Sequence, residues 1–478
     1  MARAGATRAA ISAGAALAAL IAGPLHAVPP DPANMVPPPA SLALGRDVLK
    51  ELVEINSTHA FGSTGAAKAM AARFQAAGFA PTDVRVLIPD GHPEKGNVVV
   101  RLRGTGKGRP ILYIGHLDVV EANREDWTYD PFKLTEADGW LYGRGTIDMK
   151  GQDAAMLASL VRLKQEGFSP RRDIIVAFTA DEEAGGDFSG IDWLLKTHRD
   201  LVDAGLVINP DGGEAGVKHG TKLYVGVQTA EKIYVTYQIE ATDKGGHSSR
   251  PTPDNPLYRL ARALDHVSAY SFPVHLTATT RDYFDRRAAL EIGQTSDDMR
   301  AAGAGTASPE AIARLSSQVE TSILLHTTCV ATQMEAGHGE SALPERARAT
   351  LQCRIIPGES DADVQAALTR VIDDPKVRLS VRWPYAPSPE SPPSPIVIGA
   401  VEAVTRGLWP GVVVLPVMSA GASDSALTRG AGIPSYGVDG MFDDLDDGRA
   451  HGRDERIGVR AFGEELEFTY RLMKRLAS

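Results

Sequence analysis

Five short stretches hold carboxylates and histidines in the order that a two-metal hydrolase requires: GHLDVV, GRGTIDMKG, TADEEAGG, NPDGG and AHGRDE. They carry His116 and Asp118, then Asp148, then Glu182 and Glu183, then Asp211, and last His451. Zinc takes nitrogen and oxygen ligands, and a catalytic site keeps one position open for water, whose pKa the ion lowers toward neutrality. Two such ions need one bridging carboxylate and terminal ligands for each. The five motifs supply a candidate bridge, two histidines and two further carboxylates. Asp118 and Glu182 remain over, one able to orient a histidine or to bridge, the other able to take a proton from water and hand it to a leaving nitrogen.

Taken singly, each motif has a plainer reading. HxD at a strand end is a solvated turn, DEE is an acidic helix start, NPDGG is a turn of turn-forming residues, and HGRDE is a surface loop. The joint order and the complete ligand set argue for the site. Four of the five motifs directly follow a run that reads as a buried strand, or lie one short turn beyond it, and an open α/β sheet binds ligands at the carboxyl ends of its strands. The other histidines, including His59, His92 and His338, take the plain reading.

The elements that must position these groups come from periodicity. NVVVRLRG, PILYIGH, DIIVAFTA and GLVINP are apolar runs of strand length, suited to strands covered on both faces. DVLKELVEI, TGAAKAMAARFQAAG and the stretch between Asp148 and Gly167 read as helices. This alternation predicts an α/β fold with a mostly parallel, doubly wound sheet. After Glu231 the pattern changes. KIYVTYQIEA, TSILLHTTCVATQM, RATLQCRIIPG and KVRLSVRWPY read as alternating strands, and Asp282 to Leu315 as polar, Ala-rich helix. The expected organisation is a signal peptide over 1–27, a Pro-rich lead-in over 28–44, a catalytic domain over 45–230, an inserted α+β lid over 231–385, and the rest of the catalytic domain over 386–478.

A length of 478 residues is ample for two cores, and a net charge of −10 argues against nucleic acid as a partner. Arg3 and Arg8, the apolar stretch Ala9–Gly23 and Leu25-His26-Ala27 read as a cleavable export signal. The expected product is secreted or periplasmic, with no membrane association after cleavage. Cys329 and Cys353 are the only cysteines. They lie in strand-like segments around one turn, and both a bridge and a pair of buried thiols are open.

These motifs together resemble the di-zinc metallopeptidase family of glutamate carboxypeptidase, succinyl-diaminopimelate desuccinylase, aminoacylase, peptidase T and carnosinase. The resemblance spans nearly the whole mature chain. It implies a catalytic domain with an inserted ferredoxin-like lid that also serves dimerisation, and two divalent ions, zinc first, with cobalt or manganese as substitutes. By motif, His116 and Asp211 would be terminal ligands of one ion, Glu183 and His451 of the other, and Asp148 the bridge, with a cis peptide to Met149. Asp118 would orient His116, and Glu182 would be the general base. GGHSSRP implies that His247 stabilises the oxyanion, across a homodimer. Arg354 in LQCRIIPG would grip a substrate carboxylate, and Gly421 in GASD would contact the substrate terminus. A strand-edge salt bridge is the plainer role for Arg354.

Two positions depart from the family pattern. Ser341 stands where many members have Asn before the apolar-apolar-Pro turn, which puts lid-side recognition in question. Asp211 stands where carboxypeptidases and deacylases tend to carry Glu, and Asp there tends to accompany aminopeptidases and dipeptidases. The expected function is therefore an exported exopeptidase or dipeptidase acting on amide bonds of small peptides. The alternatives are an N-acyl-amino-acid amidohydrolase or carboxypeptidase with the same machinery, and a non-catalytic binding relative, against which the intact Glu182 and ligand set speak.

Overall fold

The computed structural model describes residues 35–184, 188–382 and 388–478. The expected signal peptide lies outside the described residues. Its centre is a ten-stranded mixed sheet. The strands Ile174–Thr179, Ile111–His116, Leu206–Asn209 and Ser435–Val438 run parallel in that spatial order. Asn97–Leu102 and Thr221–Glu231 flank this group and are antiparallel to it. All six residues of Ile111–His116 and of Ile174–Thr179 are buried. That is why these strands read as continuous apolar runs rather than alternations. Along Ile111–His116 the faces still alternate: Ile111 and Tyr113 pack with the helices Pro39–Glu54, Lys150–Gln165 and Val459–Ala477, while Leu112 and Ile114 pack with Ile191 and Leu194 of the helix Gly190–Thr197. His116 ends the third strand of this chain at the carboxyl edge of the sheet.

A second, four-stranded antiparallel sheet is ordered Thr328–Ala336, Arg346–Ile355, Ile233–Thr242, Val377–Val381. The helices Pro256–Ala269 and Asp361–Ile372 bury Leu260, Ala263 and Leu368 against its Tyr237, Ile239 and Leu351. Cys329 and Cys353 are direct partners across two of these strands and are joined in a disulfide.

Three local readings are corrected. A helix begins at Pro39, inside the expected lead-in, because proline suits the first helical position and Leu42, Gly45 and Val48 meet the core. Thr321–Leu325 of TSILLHTTCVATQM belongs to the helix Val319–Leu325, and the strand starts only at Thr328. The polar stretch is helical as expected (Ala278–Arg287, Gly293–Ala304 and Pro309–Ser316), yet it packs on the large sheet: Phe284, Met299 and Leu324 share a cluster with Met418 of the strand Val413–Ser419. Among the described residues, no helix is long and apolar enough to cross a membrane.

Candidate metal centre

Each cluster residue sits where a strand or turn ends at the sheet's carboxyl edge. His116 closes its strand, Asp211 lies in the one-turn helix Pro210–Gly212 after the strand Leu206–Asn209, and Asp148 lies one residue before Met149, the N-cap of the helix Lys150–Gln165. The Asp148–Met149 peptide is cis. His451 has a left-handed backbone with φ 61° in the loop before the C-terminal helix.

The side chains converge. His116 Nε2 lies 3.1 Å from Asp148 Oδ1, and His451 Nε2 lies 3.0 Å from Asp148 Oδ2 and 2.9 Å from Glu183 Oε1. Two groups result, His116–Asp148–Asp211 and Asp148–Glu183–His451, each with potential ligand atoms within 4.8 Å of one another. Asp148 belongs to both, one oxygen toward each histidine.

Asp118 works through two different groups. Its backbone carbonyl lies 3.1 Å from His116 Nδ1, whereas its carboxylate is 3.8 Å from that nitrogen. The carboxylate instead accepts the backbone N–H groups of Glu182 (3.2 Å) and Glu183 (2.9 Å). One buried acid thus fixes both a histidine and the acidic pair. Asp181 beside that pair is already neutralised by Lys95.

The electrostatics test whether divalent ions fit. Burial, then the charge of Asp211, pushes Glu182 well above the usual carboxylate range. Burial pushes Asp211 up to about 8, and Asp211 Oδ2 is buried with no hydrogen-bond partner among the described residues. Burial works against Asp148 too, but hydrogen bonds from His116 and His451 hold it low. His451 rises to about 9, chiefly through its bond to Asp148. Carboxylates crowded without a cation, around two imidazoles that each have a nitrogen facing the same acid, form a donor set of the N/O type that zinc and similar ions take. The residues fit the group.

A family model described as "Peptidase family M20/M25/M40" matches residues 112–475, which include every residue of this cluster. The chain belongs to that peptidase family. Among its relatives, "Probable carboxypeptidase S-like 2" of Dictyostelium discoideum is 29% identical over 378 residues, covering 77% of this chain and 71% of the relative. "N-fatty-acyl-amino acid synthase/hydrolase PM20D1" of Homo sapiens is 26% identical over 375 residues, covering 77% and 74%. The crystal structure of the M20 family metallo-carboxypeptidase Sso-CP2 from Sulfolobus solfataricus superposes with a TM-score of 0.67 at 19% identity, covering 91% of this chain and 99% of that one. Like its M20 relatives, this chain is a metal-dependent hydrolase.

Outside the cluster the expected substrate contacts are dispersed. His247 is exposed in a short two-stranded sheet with Ala342–Leu343, its ring Nδ1 2.8 Å from Ser249 Oγ; among the described residues its side-chain hydrogen bonds are to Ser249. Arg354 stacks 4.7 Å from the Tyr234 ring, and its Nη1 is buried without a hydrogen-bond partner among the described residues. The Gly421 N–H donates to Ser419 Oγ at 3.0 Å. Neighbours of Gly421 in that loop, Ala420, Ala422 and Ser423, line a cavity of about 700 Å³ together with Asp211 and with Arg287 and Glu291 of the helical stretch. Sequence reasoning missed Asp424, buried, which accepts from Thr179 Oγ1 at 3.2 Å and whose pKa burial raises to about 7. The signal was present, since Asp424 completes the GASD motif.

Proposed function

We propose that this chain is a two-metal exopeptidase that cleaves amide bonds of small peptides next to a free terminus. The observation that carries this reading is the pair of three-ligand groups sharing Asp148, with Glu182 alongside and outside both. His116 and Asp211 would hold one ion, Glu183 and His451 the other, and Asp148 both. Two divalent ions, when bound, supply Lewis acidity toward a carbonyl oxygen and lower the pKa of water. Glu182, held by its backbone N–H on Asp118, takes a proton from the attacking water and passes it to the leaving nitrogen. Arg354 binds the substrate's carboxylate with its unpartnered Nη1, which is supported by the planar fit of guanidinium to carboxylate. The Ser419–Ser423 loop orients the same end. His247 reaches the scissile carbonyl oxygen only when a lid closes or a second copy presents it. A homodimer is supported by the exposed edge strand Thr328–Ala336, where Val330 and Met334 are 62% and 64% exposed. Residues 1–27 would direct export.

A second reading, hydrolysis of N-acyl amino acids, is favoured by the human relative, an N-fatty-acyl-amino acid synthase/hydrolase. The deciding experiment incubates purified protein, loaded with zinc, cobalt or manganese, with dipeptides, N-acyl amino acids and C-terminally extended peptides. Turnover of dipeptides supports the exopeptidase; turnover confined to N-acyl amino acids selects the second reading. No turnover of any panel member by protein holding two ions refutes both.

A further inference from the structure

The loop that carries His451 has little regular structure to hold it. His451 and Asp454 both have left-handed backbones, with φ 61° and 52°, and the strand Arg456–Gly458 starts only beyond them. Left-handed conformations cost non-glycine residues energy and persist where the surroundings fix them. The loop carrying Asp148 is equally irregular, lying between the strand Trp140–Tyr142 and the helix Lys150–Gln165.

One carboxylate binds both loops. Glu455 is fully buried, and it accepts backbone N–H groups from Gly145 (2.9 Å), Ile147 (2.8 Å) and Asp148 itself (3.2 Å). Arg144, 2% exposed, donates from Nη1 to Glu455 Oε2 at 2.6 Å. The other arm of the same guanidinium donates to the carbonyls of His451 (3.4 Å) and Gly452 (3.1 Å), and its face lies 5.0 Å from the Trp127 ring. Thus an acid from the His451 loop grips the backbone of the Asp148 loop, and a base from the Asp148 loop grips the backbone of the His451 loop. Asp454 adds an outer tie, its carboxylate accepting from Thr128 N at 2.8 Å and Oγ1 at 3.0 Å.

We propose that Glu455 and Arg144 are the positioning residues of the metal centre, a reciprocal clamp that sets the distance between Asp148 and His451. The proposal rests on the two-metal reading above. It assigns the two residues different tasks. Glu455 fixes the bridge, on which both ions depend. The second arm of Arg144 fixes the His451 loop, on which one ion depends. Groups behind metal ligands typically change metal affinity by 10- to 100-fold.

Cobalt titration of metal-free protein, followed by visible absorption and by calorimetry, separates these roles from general stability. Wild type should take up two equivalents. Glu455→Gln, which keeps the shape but loses the charge, should weaken both equivalents by roughly 10- to 100-fold. Arg144→Lys keeps a cation beside Glu455 but lacks the second arm, so it should weaken one equivalent and spare the other. The d–d spectrum should lose the component of the weakened site, while circular dichroism of both variants matches wild type. Two equivalents of wild-type affinity and spectrum in either variant, or loss of both equivalents in Arg144→Lys, would overturn the clamp. If Glu455→Gln does not fold, the Arg144→Lys titration decides alone. A wild type that binds fewer than two cobalt ions refutes the two-metal reading, which is a distinct result.

Discussion

Replacing Glu465 by glutamine should make the protein more stable at pH 8 and leave it nearly unchanged at pH 4. Glu465 lies on the inner face of the C-terminal helix Val459–Ala477, fully buried, and shares a side-chain hydrogen bond with Asp439, just beyond the strand Ser435–Val438. The Gly440 N–H donates to Glu465 Oε2 at 2.8 Å, and the Met441 N–H and Gln152 Nε2 donate to Asp439 at 2.9 and 3.1 Å. Burial raises both acids, Asp439 to about 6 and Glu465 well above its ordinary range. The folded state therefore holds protons that the unfolded chain releases from about pH 4 upward. Stability from the pair is fully present below that value and is lost as pH rises through the folded pKa values. For Asp439, moving from 3.8 to about 6 amounts to roughly 3 kcal/mol at 1.36 kcal/mol per decade, a contribution set by burial that the variant keeps and that cancels in the comparison; the Glu465 contribution is the one the variant removes. Glutamine at 465 can accept from Gly440 and donate permanently to Asp439, which removes the need for a shared proton. Denaturant unfolding of both proteins at pH 4, 6 and 8, with a chelator present, isolates this pair, because other titrating groups cancel in the difference. The variant should gain steadily on wild type as pH rises from 4 to 8, because it no longer carries Glu465's own raised pKa. A difference that is flat with pH, or that favours wild type as pH rises, refutes the shared-proton argument.

Glu182→Gln should retain both ions and lose roughly 10²–10⁴-fold in turnover, whereas Glu183→Gln should lose affinity for one ion; metal content measured beside rate decides this, and the reverse pattern would exchange the two roles. Asp118→Asn gives up one charge-assisted acceptor for the N–H groups of Glu182 and Glu183, a loss of about 1.5–3 kcal/mol, so affinity at the Glu183 side should fall about 10- to 100-fold in a zinc titration. His247→Ala should slow turnover without changing metal content. Mixed with Glu182→Gln after verified subunit exchange, it should regain partial activity, and no recovery would place the histidine's action within its own chain.

The cluster that could hold metal was legible because each of its residues lies within a few residues of an apolar strand or a turn motif, so short spacings carried it. His116 and Asp148 need only a strand end and a helix start. Partners that act through backbone atoms were not legible: nothing in GHLDVV says that the Asp118 carboxylate would bind the amides of Glu182 and Glu183 rather than the ring of His116. Glu455 and Arg144 stood inside motifs already in view, yet their pairing spans 311 positions. The disulfide was open for a similar reason, since alternation assigns faces but not register, and only the Cys329 to Cys353 pairing of the strands settles it. The helices from Ala278 to Ser316 were readable as helices, whereas Val319–Leu325 was not. Their docking on Val413–Ser419 was not, because it depends on Phe284, Met299 and Met418 meeting across more than a hundred residues.

The wide sequence separation of the ligands has a consequence for synthesis. His116, Asp148 and Asp211 are all translated before the strand Ile233–Thr242, but His451 follows Asp211 by 240 residues. Domains fold as they emerge, N-terminal first. A nascent chain can therefore complete the first ligand group long before the second exists. On the two-metal reading, hydrolytic competence would wait until the helix Val459–Ala477 is made and packs on Lys150–Gln165. Chains released early from translation would be able to take up one ion and would lack the means to position another.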